Sequence, residues 1–379
     1  MFRFIARLLT LIISVSIYSS CNNASSTSFV IEKLDTLYAP TYSDRFVIYK
    51  YGNSSILTIH QEEGSSKHIF LARKGETAPD GFDGMVMEVP LKRVICMSTT
   101  HIAMMEKLGN LDRIVGISGC QYVISATVRE AIEQKKIRDI GYDSGLNYEL
   151  ATIMQPDAIF VYGTQGDNAA STKKMTELGL PTIYIYEYLE NNPLGKTEWL
   201  VAMGEFFDQR LKAEEIFTSI ANNYNNIKQI IHDGIKQPKV MLNSPWRDTW
   251  FVPGNRSYIV QLLTDAGADY ICKGFDSYQS RAISTEQAYV LCQNADFWLC
   301  PSEATSIDYL VSTNSRFANI PAVLNNRVFN NNRITTPMGG SDFWESGTIN
   351  PDLILKDLIH ILHPDLLPEH KLYYFHQLK

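Results

Sequence analysis

Short runs of apolar residues alternate with amphipathic runs along the middle of the chain. RVICM (93–97), RIVGIS (113–118) and DAIFVYG (157–163) have the length and composition of buried strands. Between the first two lies HIAMMEKLG (101–109), a helical pattern that ends at a glycine suited to a helix C-cap. Strands and helices in alternation predict a largely parallel sheet.

A second block with the same rhythm begins near residue 239. KVMLN (239–243), ADFWLCP (295–301) and RVFNN (327–331) predict strands, and SYIVQLLTDAGADYI (257–271) predicts a helix that ends at a glycine. PDLILKDLIHILHP (351–364) is patterned as an amphipathic helix. The two blocks together predict two α/β lobes.

Between the blocks, apolar residues from 208 to 232 keep mostly helical spacing. Asp208 is a suitable N-cap. About 24 residues at 1.5 Å each would span roughly 36 Å. We expect one long helix that joins the lobes rigidly; an ordinary core helix is the alternative. The apolar positions of this helix are Leu211, Ile216, Phe217, Ile220, Tyr224, Ile227 and Ile231.

Residues 29–92 have a different, β-rich pattern. In RFVIYKYGNSSILTIH (45–60), two runs of β-forming residues flank Gly52 and Asn53, which is a hairpin signal. GETAPDGFDG (75–84) is rich in turn residues. We expect an extension that either braces the first lobe or contacts a partner.

The chain opens with MFRFIARLLTLIISVSIYSSC, in which two arginines precede an apolar run at 8–17. This is the pattern of a secretory signal, and the run is too short for a membrane span. The small residues before Cys21 resemble the lipobox of bacterial lipoproteins, in which the cysteine is lipidated; an ordinary cleaved signal is the alternative. NNASSTS (22–28) then predicts a flexible tether.

These patterns predict an α/β protein with two Rossmann-like lobes, parallel sheets, one long rigid linking helix and an N-terminal β-rich extension. The predicted segments are a lipoprotein signal peptide (1–20), a tether (21–28), the extension (29–92), the first lobe (93–207), the linking helix (208–232), the second lobe (233–348), and a C-terminal helix and tail (349–379).

Composition and charge argue against several functional classes. The chain is 45% hydrophobic and 20% charged, with a net charge of −7, so nucleic acid is not an expected partner. No G-x-S-x-G, P-loop, G-x-G-x-x-G or H-E-x-x-H motif occurs, and we expect no enzyme. The histidines are scattered, which argues against a bare metal-ion site. No C-x-x-C occurs, and buried thiols are favoured over disulfides for Cys96, Cys120, Cys272, Cys292 and Cys300.

One unit occurs in both blocks, in LNYELATIMQPDAIFVYG (146–163) and in AISTEQAYVLCQNADFWLCP (282–301). Each has a capping residue, a glutamate at the second helical position, and an aspartate before an apolar strand. A carboxylate in the first helical turn contributes about 0.3–1 kcal/mol against the helix dipole, which accounts for Glu149 or Glu286 alone. It does not account for the repetition of the whole unit.

Three segments resemble the class III periplasmic binding proteins of ABC importers, which capture ferric siderophores, haem or cobalamin. They are RVICMSTTHIAMMEKLGNLDRIVGIS (93–118), NYELATIMQPDAIF (147–160) and WFVPGNRSYIVQLLTDAGADYI (250–271). Their order, with a linking helix between them, carries the resemblance, which covers about 93–365. It implies a binding protein without chemistry or a cofactor of its own.

The resemblance also implies partners for the repeated glutamates. In this family, one carboxylate on each lobe docks onto arginines of a two-fold permease with its ATPase subunits. By motif position, those carboxylates are Glu149 and Glu286. We therefore expect an exported monomer, anchored to a membrane through lipid on Cys21 and facing the periplasm.

Ligands of open α/β sheets lie beyond the carboxyl ends of the strands, where the loops of this chain are rich in aromatic residues. Arginines there would suit an anionic ligand. The expected ligand-binding residues are Thr99, Thr100, His101, Tyr122, Tyr162, Tyr188, Trp246, Arg247, Trp250, Tyr278, Arg281 and Trp344.

Among metal chelates, the two arginines favour a ferric siderophore. Cobalamin is the second candidate because aromatic walls suit a corrin equally well, and haem is the third. No site for a bare metal ion is expected.

Overall fold

The computed structural model describes residues 29–61, 64–163 and 166–379. The predicted signal peptide, the tether and Cys21 lie outside these ranges. Within them, no helix is both long enough and apolar enough to cross a bilayer. The described chain forms two α/β lobes with parallel sheets and an N-terminal β extension, which confirms the predicted fold class.

Five strands make up the extension: β1 (Thr36–Tyr38), β2 (Phe46–Tyr51), β3 (Ser54–His60), β4 (Ser66–Ala72) and β5 (Met85–Glu88). They form one sheet in chain order, antiparallel except for the parallel pair β4 and β5. The β2–β3 hairpin turns at Gly52, whose φ of 58° is left-handed, so the hairpin prediction is confirmed.

The first lobe is built around a five-stranded sheet in which every strand is parallel to its neighbours. Its elements are β6 (Val94–Cys96), α1 (Thr99–Leu108), β7 (Ile114–Ile117), α2 (Ala126–Glu133), β8 (Arg138–Asp139), α3 (Tyr148–Ile153), β9 (Ala158–Val161), α4 (Gly166–Glu177) and β10 (Thr182–Tyr184). The strand order is β10-β9-β6-β7-β8. Ser98 caps α1, and Gly109 ends it with a φ of 76°, as the glycine pattern predicts.

The connection between the lobes contains two helices, of which the second lies within the range 208–232 predicted for a single linking helix. A first helix, α5 (Pro193–Glu205), is buried along its whole length, and α6 (Arg210–Lys228) follows after a tight turn. Asp208 was expected to cap the long helix, which is wrong: it lies in that turn with a φ of 56°, and its carboxylate accepts a hydrogen bond from Arg73. Of the apolar positions named for this helix, Leu211 is 65% exposed, whereas Phe217, Ile220, Tyr224 and Ile227 are buried.

The second lobe contains a five-stranded main sheet and a small antiparallel surface sheet. Its elements are β11 (Lys239–Leu242), β12 (Pro245–Trp246), β13 (Thr249–Val252), α7 (Tyr258–Asp265), β14 (Asp269–Tyr270), β15 (Arg281–Ser284), α8 (Thr285–Cys292), β16 (Phe297–Leu299), α9 (Ile307–Thr313), α10 (Pro321–Leu324), β17 (Val328–Asn330), α11 (Pro351–Leu362) and β18 (His376–Gln377). The main sheet runs β14-β11-β16-β17-β18, and only β18 is antiparallel to its neighbour. The surface sheet runs β12-β13-β15.

The extension is fastened to α5 by buried carboxylates. Glu198 accepts the hydroxyl of Tyr38 and the backbone N–H groups of Thr41, Tyr42 and Ser43, each at 2.8 Å. All four donors come from one stretch of the extension, so a buried charge on α5 is fully satisfied only when the extension is in place. Within the described chain, the extension therefore braces the first lobe.

The cysteines of the described chain are unpaired. Cys96, Cys272, Cys292 and Cys300 are buried and Cys120 is partly buried. This agrees with the expectation of small buried thiols.

Candidate ligand cleft and docking helices

A cavity of about 300 Å³ lies between the lobes at the carboxyl end of the first sheet. β6 is the central strand there, with β7 on one side and β9 on the other, so the connections leave β6 and β9 in opposite directions. Open α/β sheets bind ligands at such a switch point. The cavity is lined by Met97, Ser98, Thr99, Ser118, Tyr122, Tyr142 and Tyr162 of the first lobe and by Gly339, Gly340, Ser341 and Trp344 of the second.

Aromatic rings form the walls of this cleft. Tyr122 and Tyr142 pack edge to face with ring centroids 4.9 Å apart. Across the cleft, Trp344 is 53% exposed and packs edge to face on Phe343, which is itself buried. Three tyrosines and a tryptophan therefore present flat surfaces and phenol groups to one space, a combination suited to a bulky planar or chelating ligand.

The two lobes approach closely at Gly340. A Cβ atom at this position would lie 2.0 Å from the backbone oxygen of Tyr122. That separation is far inside van der Waals contact, so any larger residue would have to push the two lobes apart. Gly340 thus sets how near the second-lobe loop can come to the first lobe.

Glu345 joins the lobes directly beside this contact. Its carboxylate accepts the backbone N–H groups of Ile124 at 2.8 Å and Ser125 at 2.7 Å. The pKa of Glu345 is raised to about 7, chiefly by burial. The two hydrogen bonds lower this pKa, whereas the charges of Asp342 and Glu106 help to raise it. The Glu345 carboxylate, which we call the Glu345 clamp, is therefore a titratable group at the boundary between the lobes.

Four of the predicted ligand-binding residues meet in the cavity: Thr99, Tyr122, Tyr162 and Trp344. Thr100 and Tyr188 lie behind it. The Thr100 hydroxyl donates to the buried Glu187 at 2.6 Å, and the Tyr188 ring packs against Tyr162 with centroids 6.3 Å apart.

The prediction of a ligand contact is wrong for His101 and Trp250, because both side chains are fully buried. His101 faces the interior side of α1, where burial lowers its pKa to about 3, so it is neutral and remote from solvent. Trp250 stacks on Trp298 at 5.4 Å, and its indole N–H donates to the backbone oxygen of Leu242. Both rings serve packing.

The remaining second-lobe candidates lie on or beside the surface sheet and do not line the cavity. Trp246 and Tyr278 are exposed, as are both predicted arginines. The Arg247 guanidinium lies over the Trp246 ring at 4.5 Å, and that of Arg281 over the Phe275 ring at 5.2 Å. The surface sheet begins just after β11, at the carboxyl end of the strands of the main sheet. At this same end the chain leaves β17 toward the cleft.

Tyr142 is a cavity residue that the sequence patterns did not reveal. It follows β8, a two-residue strand whose side chains are both exposed, so no apolar run marks it. The signal that could have found it is Gly141, whose φ of 86° places a tight turn directly before the tyrosine.

The repeated units form equivalent helices in the two lobes. Asn147 caps α3 by accepting from the N–H of Leu150 at 2.9 Å. Ser284 caps α8 by accepting from the N–H of Gln287 at 3.2 Å, and a capping box is present. In each helix the glutamate is the second residue.

Both glutamates face solvent. Glu286 contacts Arg316 at 3.3 Å, where both side chains are exposed. Glu149 has no ion pair among the described residues. The helix dipole accounts for a carboxylate here, but the fold itself makes little use of either side chain.

Comparison with known proteins places this architecture in a family. Residues 94–332 match the family model for periplasmic binding proteins. An uncharacterised lipoprotein of Methanocaldococcus jannaschii is 29% identical over 329 residues, which cover 83% of this chain and 76% of the relative.

Solved structures of the same fold span most of the chain. A structure described as a possible iron-binding periplasmic solute-binding protein from Staphylococcus epidermidis has 18% identity and a TM-score of 0.57, covering 73% of this chain and 100% of that one. The periplasmic vitamin B12-binding protein of Vibrio cholerae has 13% identity and a TM-score of 0.52, covering 74% and 99%. The match of the family model over 94–332 shows that the chain belongs to the periplasmic binding protein family, and the solved structures share its fold.

Proposed function

We propose that this protein is anchored to a membrane by lipid on Cys21 and captures an iron chelate of the ferric siderophore type for an ABC permease. The observation that carries the ligand proposal is the convergence of Tyr122, Tyr142, Tyr162 and Trp344 on one interlobe cavity. Similarity to a lipoprotein over 83% of the chain supports the anchor. The protein binds and delivers; we propose no catalysis and no resident cofactor.

The size of the cavity indicates that a chelate would extend beyond it. About 300 Å³ is at the lower end of the range for small-molecule sites. The surface sheet of the second lobe starts just after β11, at the carboxyl end of that strand. It carries Arg247 and Arg281, each already stacked on an aromatic ring. Ferric catecholates and carboxylates are anionic, so the two exposed arginines of the second lobe favour them through charge-assisted hydrogen bonds.

Cobalamin is the second candidate. The described residues that line the cavity include aromatic, hydroxyl and glycine residues and no charged side chain, which suits a largely neutral corrin as well as a chelate. One structural neighbour of the same fold is a vitamin B12-binding protein. Haem ranks third, because the only histidine among the predicted cleft residues, His101, is fully buried.

Glu149 and Glu286 are proposed to dock onto cationic side chains of two permease subunits. Two lobes that face a two-fold partner need two similar contacts, which explains why the unit occurs twice. Exposed ion pairs contribute little affinity individually, but a pair of them can set orientation and the rate of encounter.

Tryptophan fluorescence during titration tests the ligand. Trp199, Trp250 and Trp298 are fully buried, whereas Trp344 is exposed in the cavity and Trp246 is exposed on the surface sheet. Ferric catecholate, hydroxamate and citrate complexes, cobalamin and haem would each be added to the purified protein. We expect micromolar or tighter quenching by one ferric chelate class.

Trp344→Phe is the matched variant for this titration. If the ligand occupies the cavity, most of the quenching should disappear with Trp344, while Trp246→Phe should remove a smaller share. Quenching by cobalamin alone would replace the siderophore proposal with the second candidate. A response to none of these ligands would contradict both.

A further inference from the structure

Both docking helices carry a large exposed aliphatic residue one turn after the glutamate. On α3 it is Ile153, which is 69% exposed, and on α8 it is Val290, which is 65% exposed. The spacing from Glu149 to Ile153 and from Glu286 to Val290 is four residues in each case. Residues four apart on a helix lie on one face, so each glutamate and its aliphatic neighbour form one continuous surface.

The buried faces of α3 and α8 also resemble each other. Ala151 and Ala288, two residues after the respective glutamates, are fully buried. The small residue lets each helix lie close to its lobe, and this fixes the rotation that turns the glutamate and the aliphatic side chain outward. The common pattern is therefore one of orientation as well as of sequence, and it holds in both lobes.

A single exposed aliphatic residue is ordinary on a protein surface, but packing and helix propensity do not require one at the same position in both lobes. Their place beside a solvent-facing carboxylate, twice, favours a partner that covers both groups. An ion pair at the surface adds little affinity, whereas removal of aliphatic surface from water adds more in proportion to its area.

We propose that Ile153 with Glu149, and Val290 with Glu286, form two equivalent docking patches, each of which fits an apolar cup beside a cationic side chain on one subunit of the two-fold permease. This inference rests on the proposed docking function and names the chemistry of the partner surface. The carboxylates set the register, and the aliphatic side chains supply most of the affinity.

The second patch depends more strongly on its aliphatic residue. Glu286 already contacts Arg316 at 3.3 Å, and the Arg316 guanidinium lies over the Tyr289 ring at 5.6 Å. A cation from the permease would replace an existing arginine, so the net electrostatic gain is small. Burial of Val290 has no such competitor.

Two measurements test the proposal. In cells of the source organism, the full-length protein would carry the photo-cross-linking residue p-benzoylphenylalanine at 153, 290 or 211. Leu211 is the control because it is also 65% exposed but lies on α6, outside both patches. We expect cross-links from 153 and 290 to the same integral membrane subunit of an ABC permease, and none from 211.

The second measurement is binding of fluorescently labelled protein, carrying Cys21→Ser so that no lipid holds it, to membranes from that organism. Ile153→Ala with Val290→Ala should weaken binding at least tenfold, and Leu211→Ala should leave it unchanged. Wild-type binding by this double variant, with binding lost in Glu149→Gln/Glu286→Gln, would overturn the inference and leave carboxylate docking intact. Equal binding by all variants would contradict docking through these helices altogether.

Cross-links to other partners would also overturn the inference. A second copy of this chain, captured from 153 or 290, would make the patches a self-association surface. Cross-links to lipid alone would make them a membrane contact. Melting temperatures equal to that of the wild type would show that the variants remain folded.

Discussion

Asp157 and Asp296 make the same contact in the two lobes. The Asp157 carboxylate accepts the backbone N–H of Arg93 at 2.9 Å, just before the central strand β6. The Asp296 carboxylate accepts the N–H of Lys239 at 2.8 Å, at the start of the equivalent strand β11. In both lobes the backbone N–H of the aspartate returns a bond to the same residue. The repeated aspartate is therefore a structural clamp, which separates its role from that of the repeated glutamate.

Loss of the Asp157 or the Asp296 carboxylate should reduce the stability of the fold modestly. Asp157→Ala removes an acceptor shared by Lys92 and Arg93, and Asp296→Ala frees the N–H of Lys239. Because these groups can reach water, we expect each substitution to lower the free energy of unfolding by roughly 1 kcal/mol. Urea denaturation would measure this, with the asparagine variants as controls that keep one acceptor oxygen. An unchanged midpoint in both alanine variants would contradict the clamp.

Substitution of Glu149 and Glu286 should impair transport rather than stability, in contrast to substitution of Asp157 and Asp296. Glu149→Ala with Glu286→Ala should abolish uptake of the chelate found in the titration, while ligand affinity stays at the wild-type value and the unfolding free energy falls only by the helix-dipole contribution of about 0.3–1 kcal/mol for each helix. The reason is that both carboxylates are exposed and lie on helices that do not line the cavity. Uptake of radiolabelled chelate and fluorescence quenching would be measured side by side. A fall in affinity would assign the glutamates to the cleft instead.

Much of the architecture could be predicted because its signals are local. The βα alternation, the glycine that ends α1 and the Gly52 hairpin each depend on a few neighbouring residues. The cleft was predicted in part, since Thr99, Tyr122 and Tyr162 directly follow recognisable strands. The carboxyl ends of parallel strands meet at one edge of the sheet, which brings these residues together whatever the loops do.

The errors arose where tertiary contacts override the local pattern. Helix α5 was not among the predicted elements. Its Lys196, Glu198 and Glu205 interrupt a largely apolar run, and the carboxylates are buried because the extension supplies donors to them. His101 is polar but faces the core, and Trp250 lies within β13, where its ring stacks on Trp298. No spacing rule contains these long-range pairings.

The carboxylate of Glu198 should be critical for the extension. Glu198→Ala would leave the Tyr38 hydroxyl and three backbone N–H groups without their acceptor. We expect a loss of about 3 kcal/mol in the free energy of unfolding, because the partners are buried or partly buried. Hydrogen exchange should become faster in β1 and β2 first. Glu215→Ala, on the exposed side of α6, is the control, and equal exchange rates in both variants would refute this role.

Gly340→Ala should weaken ligand binding by preventing the close approach of the lobes. The new methyl group would meet the backbone oxygen of Tyr122, and overpacking of this kind costs about 1–3 kcal/mol. If the ligand is held between the lobes, the Kd should rise roughly ten- to a hundredfold. Gly145→Ala is the control, because a Cβ atom there meets nothing within 4 Å. An unaltered Kd would place the ligand outside this cleft.

The Glu345 clamp should make stability depend on pH with a definite sign. Its pKa is about 7 in the folded protein and would be near 4.5 when exposed, so the folded state retains the proton over this interval while the unfolded state loses it. Stability from this group is therefore full below about pH 4.5 and declines as the pH rises to about 7. A shift of that size corresponds to roughly 3 kcal/mol.

Glu345→Gln removes the titration and should flatten the profile of unfolding free energy between pH 4.5 and 7.5 relative to the wild type. The difference between the two profiles isolates Glu345, since the pKa values of the buried Glu187 and Glu190 are also raised by burial and act equally in both proteins. Glu149→Gln, which removes an exposed carboxylate, serves as the matched control. Urea denaturation at three pH values would suffice. Parallel profiles for the wild type and Glu345→Gln would mean that the carboxylate at the lobe boundary is charged and fully compensated by Ile124 and Ser125.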